Sequence, residues 1–380
     1  MEDQSISQES NYDANGKEVL DFENAFTEEV SPHFFNGELI QPTIQVYRFN
    51  MPMGGRLYFV FEDQEHFQKP KIYMGTGLVL SGMPTAKELQ KYREKLGTEA
   101  SDHELAMWSL YGSFSDTEIG NFIRRQEIED GMDGLALRLK EYFYTQQFFI
   151  NEREFNHMAK CIKKDMLGFL KFVKDRNVEF VFTQFPVISE IDQMITPIDI
   201  GCFMDIWVEI DKFNKDGSLS KNKAKEVQRV FSLINYKSGA IYKNYALQCR
   251  AEINMFKENY PEFTNLPIQV YNLTITEWKN TNSWDKYHPC SYMGKPYTLK
   301  RWDEEDNEDD FRDYLSIAKR KLERKLHKKI SVISGTPKIG DNATDFITSK
   351  TVLEIIQDGT WQKFQKSSAS LPEELISQTL

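Results

Sequence analysis

Two runs of alternating residues, 200–210 and 230–236, predict a long β-hairpin in the middle of this chain. The segment between them is rich in lysine and contains Asp216-Gly217, a pair that is typical of a solvated hairpin turn. A helix is predicted next, over 244–258, and Pro261 ends the helical pattern. This order commits the middle of the chain to an antiparallel strand pair followed by a helix.

The hairpin carries polar side chains that we expect to converge. Asp205 lies in an apolar strand, where a carboxylate is costly to bury unless it is paired or binds a metal. Lys237 ends the second strand, where it either reaches solvent or joins Asp205. Phosphodiester hydrolysis needs a divalent metal held by carboxylates and a nearby ammonium that orients water or stabilises charge. Asp205 and Lys237 supply the minimum of that chemistry.

The rest of the chain predicts an α/β protein with a central mixed β-sheet flanked by helices. Strand-like runs rich in aromatic and β-branched residues occupy 43–80, and helical patterns follow over 86–175, with a break at Gly112. Strands over 178–188 and 268–276 flank the hairpin and its helix. Helices and strands in this order favour one sheet covered by helices.

Charge and cysteine pattern limit the classes of function. The net charge of the 380 residues is −11, so a polyanion has to meet a local basic surface or a metal. The four cysteines form no CxxC pair, which favours reduced core thiols over a metal site. Because no apolar run could cross a bilayer and residues 1–18 lack a signal-peptide pattern, we expect a cytoplasmic protein.

Six short motifs follow one another along the chain. They are Met74–Pro84, Gly112-Ser-Phe-Ser-Asp116, Phe182-Thr-Gln-Phe-Pro186, Cys202–Asp205, Asn235-Tyr-Lys-Ser-Gly239 and Tyr245–Gln248. In this order they resemble the PD-(D/E)XK nuclease superfamily, in the branch of RecB-like, Cas4-like and phage exonucleases. The resemblance covers about half of the chain, and it implies a restriction-endonuclease-like core, DNA as the substrate and Mg²⁺ or Mn²⁺ as the cofactor.

The motifs depart from the family pattern at the positions that carry its chemistry. Asp116 stands where the family has a metal-binding histidine, and Gln184 stands where it often has a glutamate. Asn235 stands where a second carboxylate is expected, two residues before the lysine. If Asp116 replaces a neutral group while Asn235 replaces an anion, the formal charge of the site is unchanged, and a hard oxygen-rich set of ligands favours Mg²⁺.

Carried over position by position, the resemblance implies a role for each matching residue. Asp205 is then the principal metal ligand, with Asn235 and Asp116 completing the shell. Lys237 positions the attacking water or stabilises the pentacovalent phosphate, and Gln248 steadies the scissile region. Structural interpretations stay open for three of these residues: Asp116 suits a helix N-cap, Asn235 suits a bond to a neighbouring loop, and Gln248 suits a bond to backbone in the core.

Two functions are therefore expected as alternatives. The first is a Mg²⁺-dependent DNA nuclease that acts on DNA ends or single strands. The second is a catalytically inactive protein with a nuclease fold, which binds DNA or protein partners in phage replication or particle assembly. Either function fits a bacterial cell or a phage-infected host cell.

The sequence also predicts how the chain is divided. We expect a disordered N-terminus (1–18), an N-terminal β-rich segment (19–85) and a nuclease-like core (86–280). A C-terminal extension (281–360) and a polar tail (361–380) follow. The extension contains a basic helix over 318–330, which either packs one apolar side and solvates the other or contacts a phosphate backbone.

Overall fold

The fold is described from a computed structural model of the chain. The described residues are 19–20, 26–28, 33–35, 38–40, 45–50, 56–61, 71–80, 87–212, 214, 218, 220, 223–239, 241–261, 267–275, 296–302, 307–327, 329–333, 347–351 and 353–354. The predicted disordered N-terminus (1–18) and the polar tail (361–380) lie outside them.

Helices and strands occupy most of the described chain. The helices are α1 (Thr76–Leu80), α2 (Lys87–Leu96), α3 (Thr98–Arg125), α4 (Gly131–Thr145), α5 (Glu152–Asp175), α6 (Tyr245–Asn259) and α7 (Glu308–Leu326). The strands are β1 (Val19–Leu20), β2 (Phe26–Glu28), β3 (His33–Phe35), β4 (Glu38–Ile40), β5 (Gln45–Asn50), β6 (Arg56–Phe61), β7 (Lys71–Gly75), β8 (Glu179–Ser189), β9 (Met194–Ile210), β10 (Ala224–Lys237), β11 (Ile268–Thr274), β12 (Thr298–Arg301), β13 (Lys329–Ile333) and β14 (Ile347–Thr351).

One large mixed sheet organises the described part of the chain. Its order is β12-β11-β10-β9-β7-β6-β5-β2, and β8 pairs with β9 outside this path. The pairs β9–β10 and β8–β9 are antiparallel, whereas β10–β11 and β7–β9 are parallel. Strands of the predicted N-terminal segment therefore lie in the same sheet as strands of the predicted core. The expectation of an α/β fold with a mixed central sheet and flanking helices is confirmed.

Strand β9 is paired on both edges, and one of those edges is shared by two strands. Along one edge it pairs with β8 from Met194 to Phe203. Along the other edge, β7 occupies Met194 and Ile195, and β10 begins only at Ile200. Because β7 runs parallel and β10 antiparallel to β9, the carboxyl ends of β7 and β10 approach each other along this edge. In the described pairing, residues 196–199 of β9 face the interval between them.

Helices cover the sheet through two hydrophobic clusters. The first contains apolar residues of α1, α6 and α7, among them Leu78, Phe256 and Phe311, together with Phe231 and Leu233 of β10. The second contains apolar residues of α3, α4 and α5, together with Ile234 and Tyr236 of β10. Successive residues of β10 thus contribute to opposite clusters, as the two-residue period of a strand requires. The interval in the sheet lies between these two layers of helices.

Three expectations about local structure are wrong. The strand-like run 71–80 is a strand only to Gly75, and α1 begins at Thr76. Helix α3 runs without a break through Gly112. A Cβ at Gly112 would lie 2.7 Å from Oγ of Ser238, so glycine permits the close approach of α3 to the end of β10. The first hairpin strand begins at Met194 instead of Ile200.

The cysteines are not all reduced thiols as expected. Cys202 and Cys249 are buried free thiols, whereas Cys161 is disulfide-bonded. Within the residues that were searched, which are the described ones, no helix combines the length and the apolar character needed to cross a membrane.

Candidate active site

Asp199 lies in the interval between β7 and β10, on the edge of β9. Its Oδ2 accepts a hydrogen bond from the backbone N–H of Tyr236 at 2.9 Å. The last described backbone pair of β9 and β10 joins Ile200 to Ile234, so the carboxylate of Asp199 takes over where the backbone ladder stops. This bond ties the side chain of Asp199 to the end of the strand that carries Lys237.

Asp116 approaches the same place from helix α3. Its Oδ2 accepts a hydrogen bond from the side-chain amide of Gln184 at 2.8 Å. Gln184 lies on β8 between residues paired with Ile200 and Ile198 of β9, which puts it beside Asp199 across the strand pair. Its φ of 50° is in the left-handed region, which costs a residue with a side chain about 1–2 kcal/mol. A strained backbone at Gln184 therefore accompanies the bond that orients Asp116.

Lys237 is the third charged residue of the site, together with Asp116 and Asp199. Its ammonium nitrogen lies 5.0 Å from the centre of the Tyr245 ring, within the range of a cation–π contact. Asp116, Gln184, Asp199 and Lys237 are all half-buried, so they remain accessible to a small ligand or ion.

A second layer of polar residues lies beneath and is closed to solvent. Asn235 and Glu252 are both 0% exposed. The amide nitrogen of Asn235 donates to Oε2 of Glu252 and also contacts the thiol of Cys249. The amide of Gln248 donates to Oδ1 of Asn235 at 3.1 Å and to Oε1 of Glu252 at 2.9 Å. Strand β10 and helix α6 are thus joined by two amides and one carboxyl group, of which Asn235 and Glu252 are fully buried and Gln248 is half-buried.

The charges of the site influence one another. Burial raises the pKa of Asp116 well above its ordinary range and Asp199 raises it further, while Lys237, the Gln184 bond and Arg124 act in the opposite sense. Burial also raises the pKa of Asp199, against Lys237 and the N–H of Tyr236. Burial lowers the pKa of Lys237, but Asp199 and then Glu252 outweigh it and the net shift is upward. The two carboxylates and the ammonium therefore lie close enough to shift one another's pKa.

Burial likewise dominates the buried layer. It raises the pKa of Glu252 from its ordinary 4.5 to about 8, although the bonds from Asn235 and Gln248 and the charge of Lys237 favour the ionised form. It raises the pKa of the Cys249 thiol as well, and Glu252 adds to that increase.

Buried hydrogen bonds on the opposite face of β10 hold α3 in place. The hydroxyl groups of Ser115 and Tyr236 lie 2.8 Å apart, and the hydroxyl of Tyr111 donates to Asp165 of α5 at 2.6 Å. Burial raises the pKa of both tyrosines, so each stays a neutral hydrogen-bonding group. Since Ser115 directly precedes Asp116, the bond to Tyr236 fixes the turn of α3 from which the Asp116 carboxylate projects.

The expectation that Asp205 and Lys237 meet is wrong. Asp205 is paired with Arg229 in the sheet, and Oδ1 of Asp205 lies 3.1 Å from the Arg229 guanidinium. Its Oδ2 accepts a bond from Asn177 at 3.3 Å. Lys237 lies eight residues beyond Arg229, a separation of about 26 Å along a strand. Asp205 is a surface ion-pair residue, and the carboxylate at the site is Asp199.

The remaining predicted residues do converge. Asp116, Asn235, Lys237 and Gln248 meet around the end of β10, as do the motif residues Gln184 and Tyr245. Asn235, however, lies in the closed layer, and both ends of its amide are engaged by α6. This arrangement suits a residue that positions its neighbours better than a direct metal ligand.

The donor set that could hold a divalent cation is Asp116 and Asp199. One oxygen of each carboxylate accepts a described hydrogen bond, and the other oxygen of each has no described partner. A group of three or more His, Cys, Asp or Glu side chains placed to hold a metal is not found among the described residues. Two hard carboxylate oxygens with water fit Mg²⁺ or Mn²⁺, and a cation would relieve the repulsion that raises the pKa of Asp116.

Sequence reasoning missed Asp199 and Glu252. Asp199 precedes the predicted strand start at Ile200, so the predicted hairpin does not include it. Equal counting outward from Asp216-Gly217 would have placed Asn235 opposite residue 198, within one residue of Asp199. Glu252 lies four residues after Gln248, on the same face of α6, which is a detectable signal in the sequence.

No family model matches the chain, and no curated protein matches it either.

Proposed function

We propose that this protein is a divalent-metal-dependent deoxyribonuclease of the PD-(D/E)XK type, with Asp116, Asp199 and Lys237 as its reactive groups. The observation that carries this proposal is a pair of hydrogen bonds in the interval between β7 and β10. One joins Asp116 to Gln184, beside Asp199, and the other joins Asp199 to the backbone of Tyr236, next to Lys237. The motif order that suggested the family loses its Cys202–Asp205 member at this site, and Asp199 supplies the carboxylate in its place. A restriction-endonuclease-like core is part of the same proposal.

The residues have distinct roles in this proposal. Asp116 and Asp199 would hold the cation, and Gln184 and the N–H of Tyr236 orient their carboxylates. A bound Mg²⁺ or Mn²⁺ would neutralise charge on the phosphate and lower the pKa of a bound water. Lys237 donates to the attacking water or to the phosphoryl oxygens as charge develops. The ring of Tyr245 limits the conformations of the Lys237 side chain.

The closed layer supports the reactive layer from below. Asn235 and Gln248 keep the Glu252 carboxyl group hydrogen-bonded without exposing it. Glu252 adds to the upward shift of the Lys237 pKa, so the ammonium stays protonated in a buried setting. Together, Asn235 and Glu252 take the structural place of the second acid of the family motif without facing the solvent.

A second function has its own observation. Asn235 replaces a carboxylate and is fully buried, which leaves two described carboxylates for a cation. A protein that kept the fold and lost cation binding would act through DNA or a protein partner, as in a replication or particle assembly of a phage. DNA binding without hydrolysis is the expected property of that alternative.

A cleavage assay separates the two functions. Purified protein is incubated with end-labelled single- and double-stranded DNA in Mg²⁺, in Mn²⁺ and in EDTA. The nuclease proposal predicts metal-dependent degradation that falls by about 100-fold or more in Lys237→Ala, the loss typical of removing one charge-stabilising donor. Lys160→Ala, at an exposed lysine of α5, is the matched control and should keep full activity. Absence of cleavage by the wild type under all conditions would leave the binding function.

A further inference from the structure

One side of helix α7 packs into the protein. Its apolar residues recur every three or four positions, which puts them on one stripe of the helix. They belong to, or pack against, the cluster that also contains residues of α1 and α6: Phe311, Leu315, Ala318, Leu322 and Leu326. Helix α7 is therefore held in the same layer as α6, the helix that carries Gln248.

The opposite side of the second half of α7 carries exposed positive charge. Arg320 and Arg324 are exposed and four residues apart, so their side chains lie on adjacent turns of one face, about 6 Å apart along the helix axis. Lys321 is also exposed and lies three residues before Arg324. These three residues, which lie outside the apolar stripe, form the basic face of α7.

The basic face has no anionic partner within the described part of the chain. None of its three side chains forms an ion pair or a hydrogen bond with a described residue, and Glu323, three residues after Arg320, is exposed and forms no ion pair with it. By contrast, Glu308 in the first turn of α7 accepts hydrogen bonds from Asn254 and Arg312. The carboxylate of Glu308 is thus bound inside the protein, whereas the basic face is open to an external anion.

The helix dipole explains only part of this positive charge. Cations stabilise the last turn of a helix, and Arg324 lies in the last turn of α7, which ends at Leu326. Arg320 and Lys321 precede that turn, and the like charges of Arg320 and Arg324 repel each other at this spacing. Since the whole protein has a net charge of −11, the basic face is the kind of local surface that a polyanion requires.

An anionic membrane suits the basic face less well than DNA does. A helix that binds a membrane surface buries its apolar side among the lipids, and in α7 that side is occupied by the cluster with α1 and α6. Asp309 and Asp313 are exposed on the first half of α7, where a flat lipid surface would meet them as well. A DNA strand that crosses the helix contacts the basic face alone.

We propose that the basic face of α7 binds the phosphate backbone of DNA outside the active site. The inference deepens the proposed function and rests on its assignment of DNA as the partner. The planar guanidinium groups of Arg320 and Arg324 each offer two parallel donors to a phosphate, and Lys321 adds a third charge. Such contacts position DNA on the protein without reading its sequence.

The first test is the salt dependence of DNA binding. Fluorescence anisotropy measures the binding of a labelled DNA duplex in EDTA, which removes the divalent metal, over a range of NaCl concentrations. The double variant Arg320→Gln with Arg324→Gln should lower the slope of log K against log salt by about 1.8 and weaken binding about tenfold or more, because two phosphate contacts are lost. Lysine at both positions should keep the slope because it keeps the charge.

The matched control is Lys160→Gln with Lys164→Gln. These two lysines are also exposed and four residues apart, on α5 at the opposite face of the sheet, and the control removes the same net charge. It should keep the wild-type slope. An equal decrease in both double variants would overturn the proposal, because it would report net charge instead of a contact. A wild-type slope in the arginine double variant, or no DNA binding by the wild type, would also overturn it.

The second test addresses the lipid surface. The wild type and the arginine double variant should both stay in the supernatant when vesicles of phosphatidylcholine and phosphatidylserine are sedimented. Vesicle binding that the double variant loses, together with unchanged DNA affinity, would assign the basic face to a membrane and overturn the proposal. If the double variant is unfolded by circular dichroism, Arg320→Gln alone replaces it, with an expected decrease in slope of about 0.9.

The two proposals fail separately. If the wild type binds DNA with a slope that depends on the basic face and does not cleave it, the backbone contact stands and the nuclease function is wrong. If the wild type cleaves DNA and the arginine double variant keeps the wild-type affinity and slope, the nuclease function stands and the backbone contact is wrong.

Discussion

The side-chain amide of Asn235 on β10 donates a hydrogen bond to the carboxyl group of Glu252 on α6, and neither residue is exposed to solvent. The side chain two residues before Lys237 is therefore an amide. The carboxyl group that this amide contacts belongs to the adjacent helix α6. Gln248 bonds to both members of the pair. The pair links the strand that carries the active-site lysine to the helix that packs on it.

We expect Glu252 to make stability depend on pH. Because burial raises its pKa from 4.5 to about 8, the folded protein keeps a proton that the unfolded chain releases between these values. The stabilising contribution is fully present below pH 4.5 and is lost as the pH rises through 8. Denaturant unfolding at several pH values should show that the wild type loses stability relative to Glu252→Gln, by about 1.4 kcal/mol per pH unit inside this window.

The control for that series is Glu127→Gln, at an exposed glutamate. The difference in the free energy of unfolding between Glu127→Gln and the wild type should not vary with pH in the same way. A constant difference between Glu252→Gln and the wild type from pH 5 to pH 8 would show that Glu252 is ionised in the folded protein throughout.

Exchanging the amide of Asn235 and the carboxyl group of Glu252 should restore the stability that each single substitution removes. Asn235→Asp sets two carboxyl groups against each other, and Glu252→Gln sets two amide donors against one oxygen. In the double variant the amide at 252 donates to the carboxylate at 235, and both bonds from Gln248 keep an acceptor. Urea unfolding of the four proteins should show a favourable coupling of about 1–3 kcal/mol. Additive losses would mean that the two side chains are not in contact.

Gln184 and Gln193 allow strain and function to be separated. Both have left-handed backbones, with φ of 50° and 53°. Gln193→Gly should stabilise the protein by about 1 kcal/mol without changing its activity, because glycine adopts this conformation freely. Gln184→Gly relieves the same strain and also removes the bond to Asp116, so it should lower DNA cleavage several-fold. Equal activity of the two variants would contradict a role for Gln184 in orienting Asp116.

Much of the architecture was accessible from sequence because it depends on local patterns. Helix α5 begins with a capping box at Asn151 and Glu154, and it lies within the helical pattern predicted over 86–175. The α/β class follows from the order of such elements. By contrast, the close approach of Gly112 in α3 to Ser238 joins residues that are distant in the chain. A local pattern contains no information about that contact.

The candidate site also contains residues that local sequence patterns predict and residues that depend on distant contacts. Asn235, Lys237 and Gln248 lie close together in sequence, and the structure brings them together around the end of β10. Asp199 was not predicted, because a separation of six residues predicts the same strand face for Asp199 and Asp205 and favours neither. Only the register with β10 tells which carboxylate lies beside Lys237, and register depends on where the hairpin turns.

The most direct test of the candidate site is a Mn²⁺ titration of three proteins by isothermal titration calorimetry. Wild type and Asp205→Asn should bind the ion with equal affinity, because Asp205 pairs with Arg229 away from the site. That surface ion pair contributes about 0–1 kcal/mol to the stability of the fold. Asp199→Asn should bind it at least tenfold more weakly, because it removes one of two carboxylates from the donor set. Weakened binding in Asp205→Asn together with wild-type affinity in Asp199→Asn would contradict the account.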